Sequence, residues 1–269
     1  MGQELIKRGS RRFPWLPLML VVLYLGLLAA LVLPPGVPVL ERLRWLVSGL
    51  CAQVPSHSFS PGGQRLPLDA RCTGIYLGFI VTLITLYVGG RGRAQRFPPW
   101  PIIGVLVAGV IAMAIDGFNS LFLDIGMPHL YQPQNLLRLA TGLATGLAMA
   151  CLFLPFINHL FWREPNQQRS IPSWKALVLF LPGLLLSFLA VASQNGLVLY
   201  PVAFLSTAGI VMLLSSVNLI VVVAVNRRDQ ALERYRELLP FFSLALLLAL
   251  SEMLALAQLK FLLLQAIGV

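Results

Sequence analysis

Seven apolar runs govern what this chain can fold into, because each is long enough to cross the roughly 30 Å hydrocarbon core of a bilayer, which takes about 20 helical residues. They fall at about 15–33, 73–89, 101–115, 139–160, 174–192, 201–225 and 239–267. The third is short unless it continues through Phe118 to Phe122. Charge is correspondingly scarce: 11% of the 269 residues are charged, against roughly a quarter in a soluble domain. That excludes a soluble enzyme, a disordered regulator and a disulfide-dense secreted module. The expected fold class is an all-α integral membrane protein, a bundle of about seven transmembrane helices forming one membrane domain over 15–269.

The first run follows Lys7, Arg8, Arg11 and Arg12, like the basic region of a signal peptide. Pro34-Pro35-Gly36 after it is no small-residue cleavage site, so a retained helix behind a basic cytoplasmic segment (1–14) is expected. Lys and Arg then set the direction. With the N-terminus inside, fourteen of the 20 basic residues lie on inner segments: the four above with Arg91, Arg93, Arg96, Arg163, Arg169, Lys175, Arg227, Arg228, Arg234 and Arg236. Arg42, Arg44, Arg65, Arg71, Arg138 and Lys260 lie outside. This satisfies the positive-inside rule at every inner connection and leaves the C-terminus extracytoplasmic. The formal charge of +10 is thereby explained by anionic lipid headgroups at the inner face. No loop is long enough to form a nucleic-acid-binding domain. The last inner segment, 226–238, reads as helix continuing past the membrane with mixed charge on a solvated face.

The first outer connection, 34–72, is the longest and holds the unusual chemistry. Val39, Leu40, Leu43, Leu46, Val47 and Leu50 share one helical face, with Glu41, Arg42 and Arg44 off it. A helix lying in the outer interface with Trp45 at headgroup depth fits best, and packing against protein is the alternative.

After this helix comes CAQVPSHSFSPGGQRLPLDARCTGIYLGF, Cys51 to Phe79. Here the sequence resembles a bacterial family of predicted multi-spanning membrane proteins, the domain-of-unknown-function family 2085. The hallmark is Cys-His-Gln, Ser-Phe, Gly-Gly, then Leu-Pro-Leu-Cys-x-Arg-Cys-Thr-Gly-Ile-Tyr-x-Gly-Phe. It is matched at Cys51, Gln53, Ser58, Phe59, Gly62, Gly63, Leu66, Pro67, Leu68, Arg71, Cys72, Thr73, Gly74, Ile75, Tyr76, Gly78 and Phe79. A second block matches at Asp116-Gly117, Asn135, Arg138, Thr141, Gly142 and Gly146, so that the likeness spans about 49–155. It implies a bacterial inner-membrane, multi-pass protein. Two positions depart from it: Ala52 replaces the histidine, and Asp69 the first cysteine of the Cys-x-x-Cys. The family pattern of three thiols and an imidazole is the ligand set of a closed zinc site. This chain keeps Cys51 and Cys72 and could recruit only His57 and Asp69.

Four readings of Cys51 and Cys72 stay open: a disulfide on the oxidising side, two unlinked structural thiols, a metal site with His57 and Asp69, or a redox-active pair. No cofactor is expected otherwise. Cys151, inside the fourth span, behaves as a small apolar residue.

Ionisable groups at membrane depth need partners. Asp116 is expected to pair with Arg138, with Arg71 as competitor, and Tyr76, Asn119 and Asn135 complete an outer-face polar cluster beside Asp69. The set reads either as a ligand or proton site or as a structural pair that fixes helix register. In the last span Glu252 is expected to find Ser251 or Gln258, and Lys260 to extend outward. Gly74-x-x-x-Gly78 and Gly142-x-x-x-Gly146 let helices approach closely. Three functions follow from these features: a non-catalytic accessory, scaffold or assembly subunit of a larger membrane complex, partnered by lipids and other subunits; a thiol- or metal-dependent enzyme or binding protein at the outer face; and a small-solute transporter using Asp116 and Glu252.

Overall fold

The structure, a computed structural model, describes residues 36–164 and 166–266. The first apolar run and the basic 1–14 segment lie outside the described residues, as does the last residue of the seventh run. Among those described there is no strand, only two isolated bridges, and the helices are α1 (Val39–Val47), α2 (Ala70–Val88), α3 (Trp100–Asp124), α4 (Asn135–Phe161), α5 (Trp174–Val178), α6 (Leu181–Ala192), α7 (Leu199–Val225) and α8 (Tyr235–Ala266). Counting α5 and α6 as one, six are long and apolar enough to cross a membrane.

The third run does continue, through Phe122 to Asp124. The fourth starts earlier than expected, at Asn135, which draws Arg138 into the helix. The fifth is broken between Val178 and Leu181. Pro182 has no N–H for the Val178 carbonyl and its ring crowds that turn, so the helix cannot run through unbroken.

The expectation of helix across 226–238 is corrected. Arg227 and Gln230 take positive φ of 50° and 51°, and the backbone is drawn into a bridge with the end of α4 instead. Gln230 donates to the Leu160 carbonyl (2.8 Å), Leu232 to Phe161 (3.1 Å), and Arg163 back to Leu232 (3.0 Å). Burial of Leu232, which packs with Phe161 and Trp162, outweighs the helical propensity of nine residues. The helix begins only at Tyr235.

α1 packs against protein, the second of its two expected settings: Leu46 and Val47 are buried with Ile210 of α7 and Met253 of α8. A Cβ on Gly49 would stand 2.5 Å from the Leu256 backbone, so the chain after α1 lies directly on α8.

The centre of the bundle is the α2–α4 pair. α4 is the most buried of the six candidate spans, and the two backbones touch through four glycines. A Cβ on Gly74 would meet the Leu139 carbonyl at 2.5 Å, and one on Gly78 the Leu143 carbonyl at 2.7 Å. One on Gly142 would meet the Arg71 carbonyl at 2.5 Å, and one on Gly146 the Ile75 carbonyl at 2.2 Å. In hydrocarbon, where burial from water drives nothing, such close approach supplies dispersion contacts that side chains would prevent. Gly209 of α7 repeats the device against the Tyr76 carbonyl (2.3 Å) on the other side of α2.

The connections sort to two ends. At one, Arg96 exchanges backbone bonds with Gln168 and Ser170, and Arg163 with Leu232, so 89–99, 162–164, 166–173 and 226–234 form one layer. At the other, Gly62 donates to the Gln194 carbonyl (3.0 Å) and Asn135 to Ser56 (3.0 Å), gathering the Cys51 loop with 125–134 and 193–198. We call these the basic-loop end and the cysteine-loop end.

Gly146→Val is expected to cost about 3 kcal/mol or more by overpacking. Gly104→Ala, where a Cβ meets nothing within 4 Å, should change stability by under about 1 kcal/mol, favourably. Thermal unfolding of both variants in detergent checks the contrast.

Candidate functional site

The cysteine loop is held by side chains reading backbone groups. Gln53 sits at φ 61°, a left-handed conformation that costs a non-glycine residue roughly 1 kcal/mol or more. Its amide offsets this by donating to the Arg44 (2.7 Å) and Pro67 (2.8 Å) carbonyls, joining the two ends of the loop. Its backbone N–H donates to Asp69 Oδ2 at 3.1 Å, and the Ser58 hydroxyl lies 3.0 Å from Asp69 Oδ1. Asp69 is the residue before α2 but caps none of its N–H groups; its carboxylate is turned to the loop instead. Ala52 is exposed.

Cys51 is buried and Cys72, in the first turn of α2, is half-buried; both are free thiols here. The Asp69 backbone N–H approaches the Cys51 sulfur at 3.4 Å. A hydrogen bond from the Cys72 thiol draws the Cys51 pKa below its ordinary value, and the Asp69 and Gln53 N–H groups act the same way, against burial and the Asp69 charge. Lys260 reaches from α8 to the carbonyls of Ser48 (3.0 Å) and Cys51 (3.4 Å), so its extension ends on this loop. Tyr76 packs with the thiols, Leu214 and Leu254, apart from the charged cluster.

His57 does not join the cysteines. It faces Asp124 at the end of α3, Nε2 to Oδ1 3.3 Å. Among the described residues no three His, Cys, Asp or Glu side chains are grouped to hold a metal ion. The four-donor set Cys51, His57, Asp69 and Cys72 is therefore divided: His57 is drawn to a carboxylate on another element.

The expected Asp116–Arg138 pair is corrected. Asp116, 1% exposed, takes Arg71 Nη2 on Oδ2 at 2.5 Å and the Tyr131 hydroxyl on Oδ1 at 2.9 Å. Arg138, 4% exposed, instead donates from Nε to Ser120 Oγ (3.2 Å) and from Nη1 to Asn135 Oδ1 (2.7 Å). The reason is the extra turn: with α4 starting at Asn135, Arg138 meets α3 at Ser120, while the long Arg71 side chain spans from α2 to Asp116. Asn119 holds the following loop, accepting from Leu130 N–H (2.6 Å) and donating to the Tyr131 carbonyl (2.9 Å). Burial and the Asp116 hydrogen bond push the Tyr131 phenol up.

Tyr131 and Ser120 were not foreseen. Ser120 had a signal, since it stands four residues after Asp116 on the same helical face. Tyr131 had none, because a loop has no periodicity to read. Glu252 is likewise corrected: it accepts from Asn218 of α7 (2.8 Å), while Ser251 turns back on the Leu247 carbonyl. A recess of about 290 Å³ beside Asp116, lined by Ala112, Ile115, Tyr131, Leu137 and Thr141, is otherwise apolar.

This loop and the glycine-paired helices after it are also what the chain shares with known proteins. A predicted membrane protein family, DUF2085, matches residues 51–152. An uncharacterized protein of Methanothermobacter thermautotrophicus is 33% identical over 112 residues, covering 41% of this chain and 89% of that one. The chain belongs to the DUF2085 family. The uncharacterized protein MJ1492 of Methanocaldococcus jannaschii is 29% identical over 116 residues, 43% of this chain and 68% of that protein. Both organisms are archaea, so the likeness is not confined to bacteria as first expected. No solved structure matches. The DUF2085 segment holds the cysteine loop, α2, α3 and most of α4, including Arg71, Asp116 and Arg138. Helices α5 to α8 lie outside it.

The pairing predicts a pattern of coupling. Asp116→Asn alone should cost about 3–5 kcal/mol, since it leaves a largely buried guanidinium without its anion. A double-mutant cycle by thermal unfolding should give about 2 kcal/mol of coupling between Arg71 and Asp116, and under about 0.5 kcal/mol between Asp116 and Arg138.

Proposed function

We propose that this predicted membrane protein is a non-catalytic integral subunit, a scaffold or assembly component of a larger membrane complex. Its N-terminus and the basic-loop end face the cytoplasm, and the cysteine loop lies outside. The observation that carries this reading is the use of Asp116: both carboxylate oxygens are engaged inside the protein, one by Arg71 and one by Tyr131. Asn119, Asn135 and Arg138 are spent in the same way on neighbouring segments. The polar cluster thus acts as a joint between α2, α3, α4 and two loops. That supports the structural role of the set over a ligand, proton or transport role. α3 meanwhile presents Val107, Ile111, Ile115, Phe118 and Phe122 outward, a face whose natural contacts are lipid or a neighbouring subunit.

A photo-crosslinking residue at Ile111 or Phe118, compared with one at buried Leu106, tests this in native membranes. A discrete protein adduct from the outward positions and none from Leu106 is expected. Lipid adducts alone, together with a single-chain mass after mild solubilisation, would contradict the subunit reading.

The contact between the thiols favours a second reading, an outer-face dithiol. A thiolate of Cys51 attacks an external disulfide, releasing one thiolate, and Cys72 then displaces the other, leaving Cys51–Cys72 oxidised and two thiols reduced. Closing a loop of about 20 residues would add roughly 3 kcal/mol in the chain-entropy model. Oxidised glutathione should remove two hydrogens from the intact mass of the wild type, and neither Cys51→Ala nor Cys72→Ala should show that loss. Complete alkylation of both thiols after the treatment would sink this reading.

A further inference from the structure

The basic-loop end contains a divided cavity that neither the thiols nor the charged joint uses. Between the halves of α2, α4, α7 and α8 nearest that end lies a space of about 430 Å³, walled by Phe79, Phe153, Phe161, Met212 and Phe242. That size falls in the range of about 300–1,000 Å³ typical of ligand sites. An apolar space of this size offers water few partners, so hydrocarbon is the occupant its lining suits. Tyr87, Trp162, Ser216 and Tyr235 also line it.

Trp162 also lines a second compartment, of about 410 Å³, whose walls are polar: Arg93, Gln95, Glu164, Asn166 and Arg234 among them. Trp162 is itself anchored, its indole N–H on Asn158 Oδ1 at 2.9 Å and its ring edge-on to Tyr235 at 4.9 Å. The Arg93 guanidinium stacks on both rings, 3.8 Å from Trp162 and 4.6 Å from Tyr235. One Nη of Arg93 donates to the Glu233 carbonyl (2.9 Å). Its Nε–H is sealed from solvent and has no acceptor. The Glu233 carboxylate, the other acid on this wall, is paired with Arg163.

We propose that this divided cavity binds one phosphate-bearing membrane lipid, its hydrocarbon chain in the aromatic compartment and its phosphate against Arg93 and Arg234. The two compartments meet at one indole ring, as the two ends of an amphiphile meet at its glycerol. Arg93 and Arg234 line the polar compartment, and a planar guanidinium suits a phosphate acceptor. Glu164 on the same wall favours a head that carries an amine beside the phosphate. The site lies where the spans end among basic loops, at the depth where such a head would sit.

The test uses the full chain, delipidated in detergent, with a phosphatidylethanolamine brominated on its chains as a tryptophan quencher. Saturable quenching is expected, most of it absent in Trp162→Phe. Brominated diacylglycerol, which has the chains without the phosphate, should need at least about tenfold more, and Arg93→Gln should weaken the lipid by about tenfold. Ser216→Phe, which fills the apolar compartment from α7 away from the ring stack, should abolish saturation with thermal unfolding preserved; this keeps the test decisive if Arg93→Gln fails to fold. The site is refuted if diacylglycerol saturates at the same concentration, if Trp162→Phe leaves the quenching intact, or if millimolar inorganic phosphate alone alters Trp162 emission as fully as the lipid.

Discussion

Everything at the cysteine-loop end depends on how closely α2 and α4 approach. With Gly74, Gly78, Gly142 and Gly146 facing the partner backbone, the two helices lie nearer than any larger side chain would allow. Close packing of this kind locks register, because a shift along the axis would drive a side chain into a carbonyl. The Gly142 position abuts Arg71 itself. Arg71 is therefore carried at a fixed height beside α4 and aimed across at Asp116 on α3. The adjacent Cys72 is placed by the same contact against Cys51.

From that centre the rest follows by satisfaction of polar groups in a medium that offers no water. Asp116 takes a cation from α2 and a phenol from the loop after α3. Arg138 takes a hydroxyl from α3 and an amide from its own first turn. Asn158 does the equivalent at the other end, donating to the Gly92 and Ala94 carbonyls and accepting from Trp162. Gln53, Gln95, Asn135 and Asn158 in this way tie backbone segments that are distant in sequence. This explains how a chain with so few charges can order its long connections.

How much could be read from the residues alone varied with the kind of question. Six apolar runs became helical, the third extended to Asp124 and the fifth broken before Pro182, because hydrocarbon thickness dictates span length more than it dictates continuity. Where α4 begins was missed by four residues, since Asn135 and Arg138 are polar and only their tertiary partners make helix favourable there. The segment 226–234 was misread because helical propensity was weighed without the end of α4, whose carbonyls and Phe161–Trp162 surface capture Leu232. The outer cluster was legible as a set but not as a pairing. Arg71 and Arg138 both lie within reach of Asp116 along the sequence-derived depth axis, and choosing between them requires the rotation of each helix about its own axis.

The residues by themselves therefore determined that this is a bundle of membrane-spanning helices with a basic end, a cysteine-bearing end and helices able to meet through glycines. Period, length and charge asymmetry are local properties, and they need no knowledge of neighbours. Only the tertiary structure decided which arginine answers Asp116, that His57 leaves the cysteines for Asp124, that Lys260 closes over Cys51, and that an apolar and a polar compartment meet at Trp162. Those outcomes depend on side-chain reach between elements far apart in the chain, fixed by the rotation and register that backbone contact imposes.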